Sequence, residues 1–206
     1  MTLTAATTSL HEIIRSRRSV RRFTDEPVPQ ALVERILETA MYAPNAHNRQ
    51  PWRFVVLSNP KHRTRLADAM GREFRKTLLG EGVPVEEAEA QVARSKARIV
   101  EAPAAVLLCM DAAVIDSYTD PKRQEGEKLM AMQSVAIAGG YLLLAAHAEE
   151  LGGVWMCAPL FVPETVQEAL DLPESWEAQG LLLLGYSAVE GKARERKPIE
   201  DMMVYL

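Results

Sequence analysis

Apolar positions recur along the chain at two spacings, and these mark its elements. Leu32, Val33, Ile36, Leu37, Ala40 and Met41 follow an i, i+1, i+4, i+5 pattern, which predicts an amphipathic helix that Pro44 ends. Leu10, Ile13 and Ile14 give a shorter helix before it. Leu66, Ala69, Met70, Phe74 and Leu78 give a third, closed by Gly80 and Gly82. Pro84 fits the first position of a charged helix reaching about Val100. The run Phe54–Leu57 reads as a strand, and the continuous apolar runs Ala104–Met110 and Gly180–Tyr186 read as buried strands. Val154–Met156 is a short fourth strand, and Glu164–Leu170 is a helix after Pro163.

Between these lie polar segments, Asn45–Pro51 and Asp111–Glu125, expected to be loops. Gly126–Glu150 reads as a long helix ended by Gly152 and Gly153. Its centre, Val135–Ala146, is twelve apolar or glycine residues, short of the roughly 20 that a spanning helix needs. The expectation is a helix buried on all sides of a soluble core. Strands scattered among helices predict an α+β or α/β domain, one sheet layered by helices.

Composition bounds this picture further. The chain has 206 residues, 48% hydrophobic and 25% charged, which suits one globular domain over residues 1–206 with a core at about 10–200. The net charge of −4 gives no surface-wide attraction for nucleic acid or an anionic membrane, so any anion site must be local. Two cysteines, Cys109 and Cys157, are too few for a disulfide scaffold and suit a reducing, cytoplasmic setting. Residues Met1–Leu10 carry no apolar secretory segment.

Three segments offer chemistry. Five arginines fall within Arg15–Arg22, and in an extended chain Arg17, Ser19 and Arg21 share one side. Guanidinium groups and a hydroxyl on one side make a phosphate cradle; a solvated basic patch is the plain alternative. The loop Ala43–Trp52 is fixed by two prolines and carries the amides of Asn45, Asn48 and Gln50, suited to a planar, amide-rich ligand or to satisfying its own backbone. The late cluster Lys192–Pro198, with Arg194 and Arg196, either closes a phosphate site or is a solvated tail.

Several familiar arrangements are missing. The sequence has no GxGxxG after a strand, no GxxxxGK[ST], no CxxC, no HExxH and no GxSxG. His11, His47, His62 and His147 show no metal spacing. His147 is expected to be a hydrogen-bonded core histidine, and Cys157 an ordinary buried thiol. With no catalytic acid–base set, a cofactor is the natural carrier of the chemistry.

The segments Arg17–Phe23 and Ala43–Phe54, followed by a basic pair before Pro198, resemble the nitroreductase family of FMN proteins over nearly the whole chain. The resemblance implies a mixed sheet flanked by helices, an intertwined homodimer and two FMN sites at its interface. It implies that Arg17, Arg18, Ser19, Val20 and Arg21 hold the FMN phosphate and ribityl chain, completed by Arg194 and Arg196. Pro44, Asn45, Ala46, Asn48 and Gln50 would meet the flavin from the partner subunit, and Cys157 would approach the ring through its backbone.

A narrower likeness, through Ser117–Asp120, Trp155 and Leu170–Glu177, is to the FMN domain of the FbiB proteins of coenzyme F-420 biosynthesis. It implies reduction of a deazaflavin precursor, although the loop Asn45–Trp52 is closer to general nitroreductases. The acceptor site is expected between the helix Arg65–Leu79 and the loop Asp111–Glu125, with Arg72, Arg75 and Lys76 facing a phosphate-bearing substrate or, alternatively, solvent. The competing functions are an NAD(P)H-dependent nitro- or quinone reductase, a nucleic-acid-binding module, and a flavin sensor without turnover.

Overall fold

The computed structural model describes residues 9–191 and 193–206. Residues 1–8 and Lys192 lie outside them, and with them the polar N-terminal stretch and the first basic residue of the late cluster.

The helices form where the apolar spacing places them. They are α1 (Leu10–Ser16), α2 (Gln30–Ala40), α3 (Pro60–Gly80), α4 (Val85–Val100), α5 (Pro121–Ala148) and α6 (Pro163–Leu170). Ser9 and Glu12 form a reciprocal capping box on α1, satisfying two N–H groups that would otherwise be left without partners. The strands are β1 (Trp52–Val56), β2 (Ala104–Asp111), β3 (Gly152–Met156) and β4 (Trp176–Gly185), in the spatial order β1-β2-β4-β3.

All eight β2 residues are buried, because both faces of the sheet are covered. Val106, Leu108 and Met110 pack with α2 and α5, while Ala105, Leu107 and Cys109 pack with α3, α4 and α6. The period-two alternation of the strand thus sorts its side chains between two helical layers.

Four expectations need correction. First, the sheet is not mixed: its three ladders are all antiparallel, and the parallel contact is an isolated bridge between Ser19 and Gly153. The reason is topological. The helix pair α3–α4 returns the chain to the end of β1 that it left, so β2 runs back against β1. The single helix α5 leaves β3 parallel to β2, but β4 inserts between them.

Second, α5 starts at Pro121 rather than Gly126, because the Asp120 side chain accepts the Lys122 N–H and Pro121 is preset for a first turn. β4 likewise starts at Trp176, before the apolar run, because Glu177 and Ala178 pair with Met110 and Cys109. Third, Pro84 is the residue preceding α4, not its first member.

Fourth, α5 is not buried all round. Val135, Ala138, Leu142 and Ala146 pack inward, while Ile137 and Tyr141 face out at 40% and 39% exposure. By length and composition α5 could cross a membrane, yet here one side of it packs on the sheet.

Candidate functional site

The arginine run follows α1 directly. Arg17 ends the helix, and the chain then turns extended. The Val20 N–H donates to the Gly153 carbonyl at 3.0 Å, which docks the run on the outer edge of β3. Val20 points inward and is buried, whereas Ser19 and Arg21 face outward, the alternation expected of extended chain. This docking requires glycine at 152: a Cβ there would sit 2.9 Å from Val20 Cβ.

A cavity of about 530 Å³ opens along the run. It is lined by Arg17, Arg18, Ser19, Val20, Arg21 and Arg22, and also by Val189, Glu190, Gly191, Arg194 and Arg196. The two basic stretches, from opposite ends of the chain, therefore share one wall-to-wall space. Gly191 keeps it open on the tail side, since a Cβ there would fall 2.6 Å from Arg18 Cβ. Not every guanidinium faces the space freely. Arg18 donates to the Arg15 and Arg17 carbonyls at the end of α1, and Arg196 donates to the Arg194 carbonyl.

His147 lies behind the run, where a second cavity of about 580 Å³ includes Ser16, Arg17, Arg18 and Gly152. Its Nε2 lies 2.8 Å from Ser16 Oγ, whose hydroxyl donates to the Glu12 carbonyl at 2.7 Å. His147 is half-buried and hydrogen-bonded. Burial first, and then the charges of Arg17 and Arg18, hold its pKa below the ordinary value.

The amide loop is a short helical turn, Ala46–Asn48, between α2 and β1. His47, Asn48 and Gln50 have φ of 52°, 53° and 48°. The Asn45 side chain is turned inward on the loop itself, with Oδ1 accepting the Gln50 N–H at 2.8 Å and Nδ2 donating to the Ala43 carbonyl at 3.4 Å. The side chains of Asn48 and Gln50 are exposed, as is Pro44, while Ala46 is half-buried.

The loop and the arginine run are not neighbours in one chain. Trp52 pairs with Met110 at one end of β2, while Ser19 bridges to Gly153, whose partner Leu184 pairs with Ala104 at the other end. The two segments thus sit at diagonal corners of the sheet, on the order of 25 Å apart from strand spacing and rise. No residue of Pro44–Pro51 lines the arginine cavity.

One further expectation is corrected here. Cys157 is exposed, not buried, because β3 ends at Met156 and the chain turns outward; the buried thiol is Cys109. Arg72, Arg75 and Lys76 lie on the exposed side of α3, and Arg75 is bound to Glu89 at 2.5 Å while Lys76 lies 3.8 Å from Glu73. On the same helix, Met70, Phe74 and Leu78 instead line an apolar cavity of about 530 Å³ with Ile99, Phe161 and Val162, edged by Glu73 and Glu81. Among the described residues, no group of His, Cys, Asp and Glu is placed to hold a metal.

Sequence reading missed Val189, Glu190 and Gly191, which lack distinctive chemistry. It also missed the pairing of Arg49 and Arg53 with Asp116 and Asp111 at 2.6 and 2.7 Å. The left-handed residues of the loop had a trace in its sequence, since Asn enters that region more readily than most residues.

Comparison with known proteins now assigns the class. Residues 14–186 match the nitroreductase family model. The chain is 32% identical to an NADH dehydrogenase of Thermus thermophilus, covering 92% of each chain. It is 32% identical to 5,6-dimethylbenzimidazole synthase of Rhodospirillum rubrum, covering 94% of this chain and 86% of that one. A structure from Desulfovibrio desulfuricans solved in complex with FMN superposes with a TM-score of 0.73 at 25% identity, covering 98% of both chains. The chain belongs to the nitroreductase family, and its fold is that family's α+β fold.

Proposed function

We propose that this protein is an FMN-dependent NAD(P)H oxidoreductase that works as a homodimer in the cytoplasm and reduces small, apolar aromatic acceptors. The observation that carries the reading is the single cavity in which Arg17–Arg22 meets Arg194 and Arg196. The residues present fit FMN. Arg17, Ser19 and Arg21 would take the phosphate with Arg194 and Arg196, and charge-assisted, forked contacts favour arginine there. From that cavity β3 leads to Cys157, roughly 13 Å along the strand.

FMN, when bound, would supply hydride acceptance and donation at its ring. The chain's own residues would hold the phosphate, orient the ring and exclude water, with no side chain required to move a proton.

The diagonal separation of the two motifs supports a dimer in which the loop Pro44–Gln50 of one subunit meets the cofactor held by the arginines of the other. Exposed apolar side chains support the same reading, among them Leu10 and Ile14 of α1, Met41 and Tyr42 after α2, and Ile137 and Tyr141 of α5, and both α1 and α2 pack against α5. Two unpaired thiols support a reducing compartment.

The apolar lining beside α3, and the engagement of Arg75 with Glu89, favour an uncharged acceptor over a phosphate-bearing one. The reduction of a deazaflavin precursor in coenzyme F-420 biosynthesis has no counterpart among the relatives named above, and the general oxidoreductase reading stands ahead of it.

The test is the visible spectrum of the purified protein, followed by NADH and NADPH oxidation with menadione, nitrofurazone and dehydro-F-420. A flavin spectrum with turnover of menadione or nitrofurazone is expected. Turnover of dehydro-F-420 alone would replace the acceptor assignment, and a colourless protein that takes up no FMN would end the cofactor reading. Similarity to 5,6-dimethylbenzimidazole synthase raises a second reading, which the appearance of that product in the same incubation would establish.

A further inference from the structure

The loop Pro44–Pro51 holds a shape that its side chains resist. His47, Asn48 and Gln50 all lie in the left-handed region, with φ near 50°, and none is glycine. Asn45 closes the loop from within and the Ala46 N–H meets Ser134 Oγ of α5 at 3.4 Å, and a neighbouring segment adds further restraint. Arg49 Nη2 is 2.6 Å from Asp116 Oδ1. Arg53 donates Nη1 to the Gln50 and Trp52 carbonyls at 3.1 and 2.8 Å, and its Nη2 is 2.7 Å from Asp111 Oδ2. Both acids belong to one short stretch, residues 111–116, which begins at the last residue of β2.

That stretch is itself anchored. Asp111 accepts the Ala113 N–H at 3.0 Å, and the Asp116 N–H donates to Glu127 Oε1 at 3.3 Å. Glu127 is buried, on α5. Each arginine of the loop side thus meets an acid whose backbone is fixed to the core.

We propose that Asp111 and Asp116 are positioning residues: by clamping Arg53 and Arg49 they hold the amide loop in its left-handed shape, and so set how tightly and in what orientation the partner subunit's FMN is held, without touching it. This rests on the cofactor reading above. It assigns the front of the 111–125 segment to cofactor positioning rather than to an acceptor wall. A segment that only lined a substrate site would have no reason to spend two carboxylates on the loop's arginines.

The experiment is titration of the apoprotein with FMN, read by flavin fluorescence and by visible circular dichroism of the bound ring, at matched thermal stability. The variants are Arg49→Ala, Asp116→Ala, the charge exchange Arg49→Asp with Asp116→Arg, and Arg17→Ala. Each single change at the clamp should weaken FMN about threefold, the range of a half-exposed ion pair, and alter the dichroism. The exchange should restore both to near the wild-type value.

Wild-type affinity and dichroism in Arg49→Ala and Asp116→Ala, with FMN weakened about tenfold in Arg17→Ala, would overturn the clamp and leave the cofactor reading intact. Unchanged FMN binding in Arg17→Ala would count against the cofactor reading itself. Weakening in the single variants without recovery in the exchange would also overturn the clamp, since the ion pair would not be what acts. Should Asp116→Ala fail to fold, Arg49→Gln alters only an exposed side chain and carries the same comparison.

Discussion

Replacing Arg17 and Arg21 together by alanine should leave a folded protein that no longer retains FMN. Both residues line the cavity shared with Arg194 and Arg196, and Arg17 is half-buried while Arg21 is exposed. A hydrogen bond to a charged group contributes about 1.5–3 kcal/mol, and the open setting argues for the low end, so the pair accounts for roughly 3 kcal/mol of binding. At 1.4 kcal/mol per tenfold, FMN affinity should fall by about a hundredfold.

The fold should not suffer. Among the described residues neither guanidinium makes an intramolecular hydrogen bond or ion pair, and the anchor of the segment is the backbone of Val20 on Gly153. The assay is the flavin absorbance of the purified double variant, with an FMN titration and a thermal melt as control. Stoichiometric flavin in that variant, or an affinity within a few-fold of wild type, would refute the phosphate assignment.

Further outcomes follow from the same geometry. Thiol alkylation of the native apoprotein should modify one cysteine per chain, Cys157, because Cys109 is buried and its pKa is pushed up to about 12. Added FMN should slow the modification of Cys157, and equal rates with and without FMN would remove it from the ring's vicinity. His147 has a pKa held below its ordinary 6.5 by burial and by Arg17 and Arg18, so the fold favours its neutral form. Its contribution to stability is therefore full above pH 6.5 and is lost as the pH falls below it, and the apoprotein's Tm should drop across that range less steeply in His147→Gln. Gly139→Ala would put a Cβ 2.1 Å from Trp155 Cζ3 and 2.6 Å from Leu108 Cδ1, and should destabilise by about 3 kcal/mol in a denaturant titration. A value below half of that would mean that Trp155 can move aside.

Much of the fold was legible because burial follows local periodicity. The spacing of Leu32, Val33, Ile36 and Ala40 gave α2 its inward face, and these four are its buried residues. The unbroken apolar run of β2 announced a strand covered on both sides. The starts of α5 and β4 were harder, because Asp120, Pro121 and Trp176–Gln179 act through a cap and through pairing with a distant strand, neither of which leaves an apolar pattern. The outward face of α5 was misread for a related reason: apolar composition says that a surface is covered, but not whether the same chain covers it.

By itself the sequence determined the two basic stretches, the amide-rich loop and the alternation that turns Ser19 and Arg21 away from Val20, since all of these depend on neighbours a few residues apart. Only the tertiary structure decided that Arg194 and Arg196 share a cavity with Arg17–Arg22, that the amide loop stands at the opposite corner of the sheet, and that Asp111 and Asp116 grip its arginines. Those relations depend on the insertion of β4 between β2 and β3 and on where each loop leaves the sheet. They are properties of strand order, which no local stretch of residues encodes.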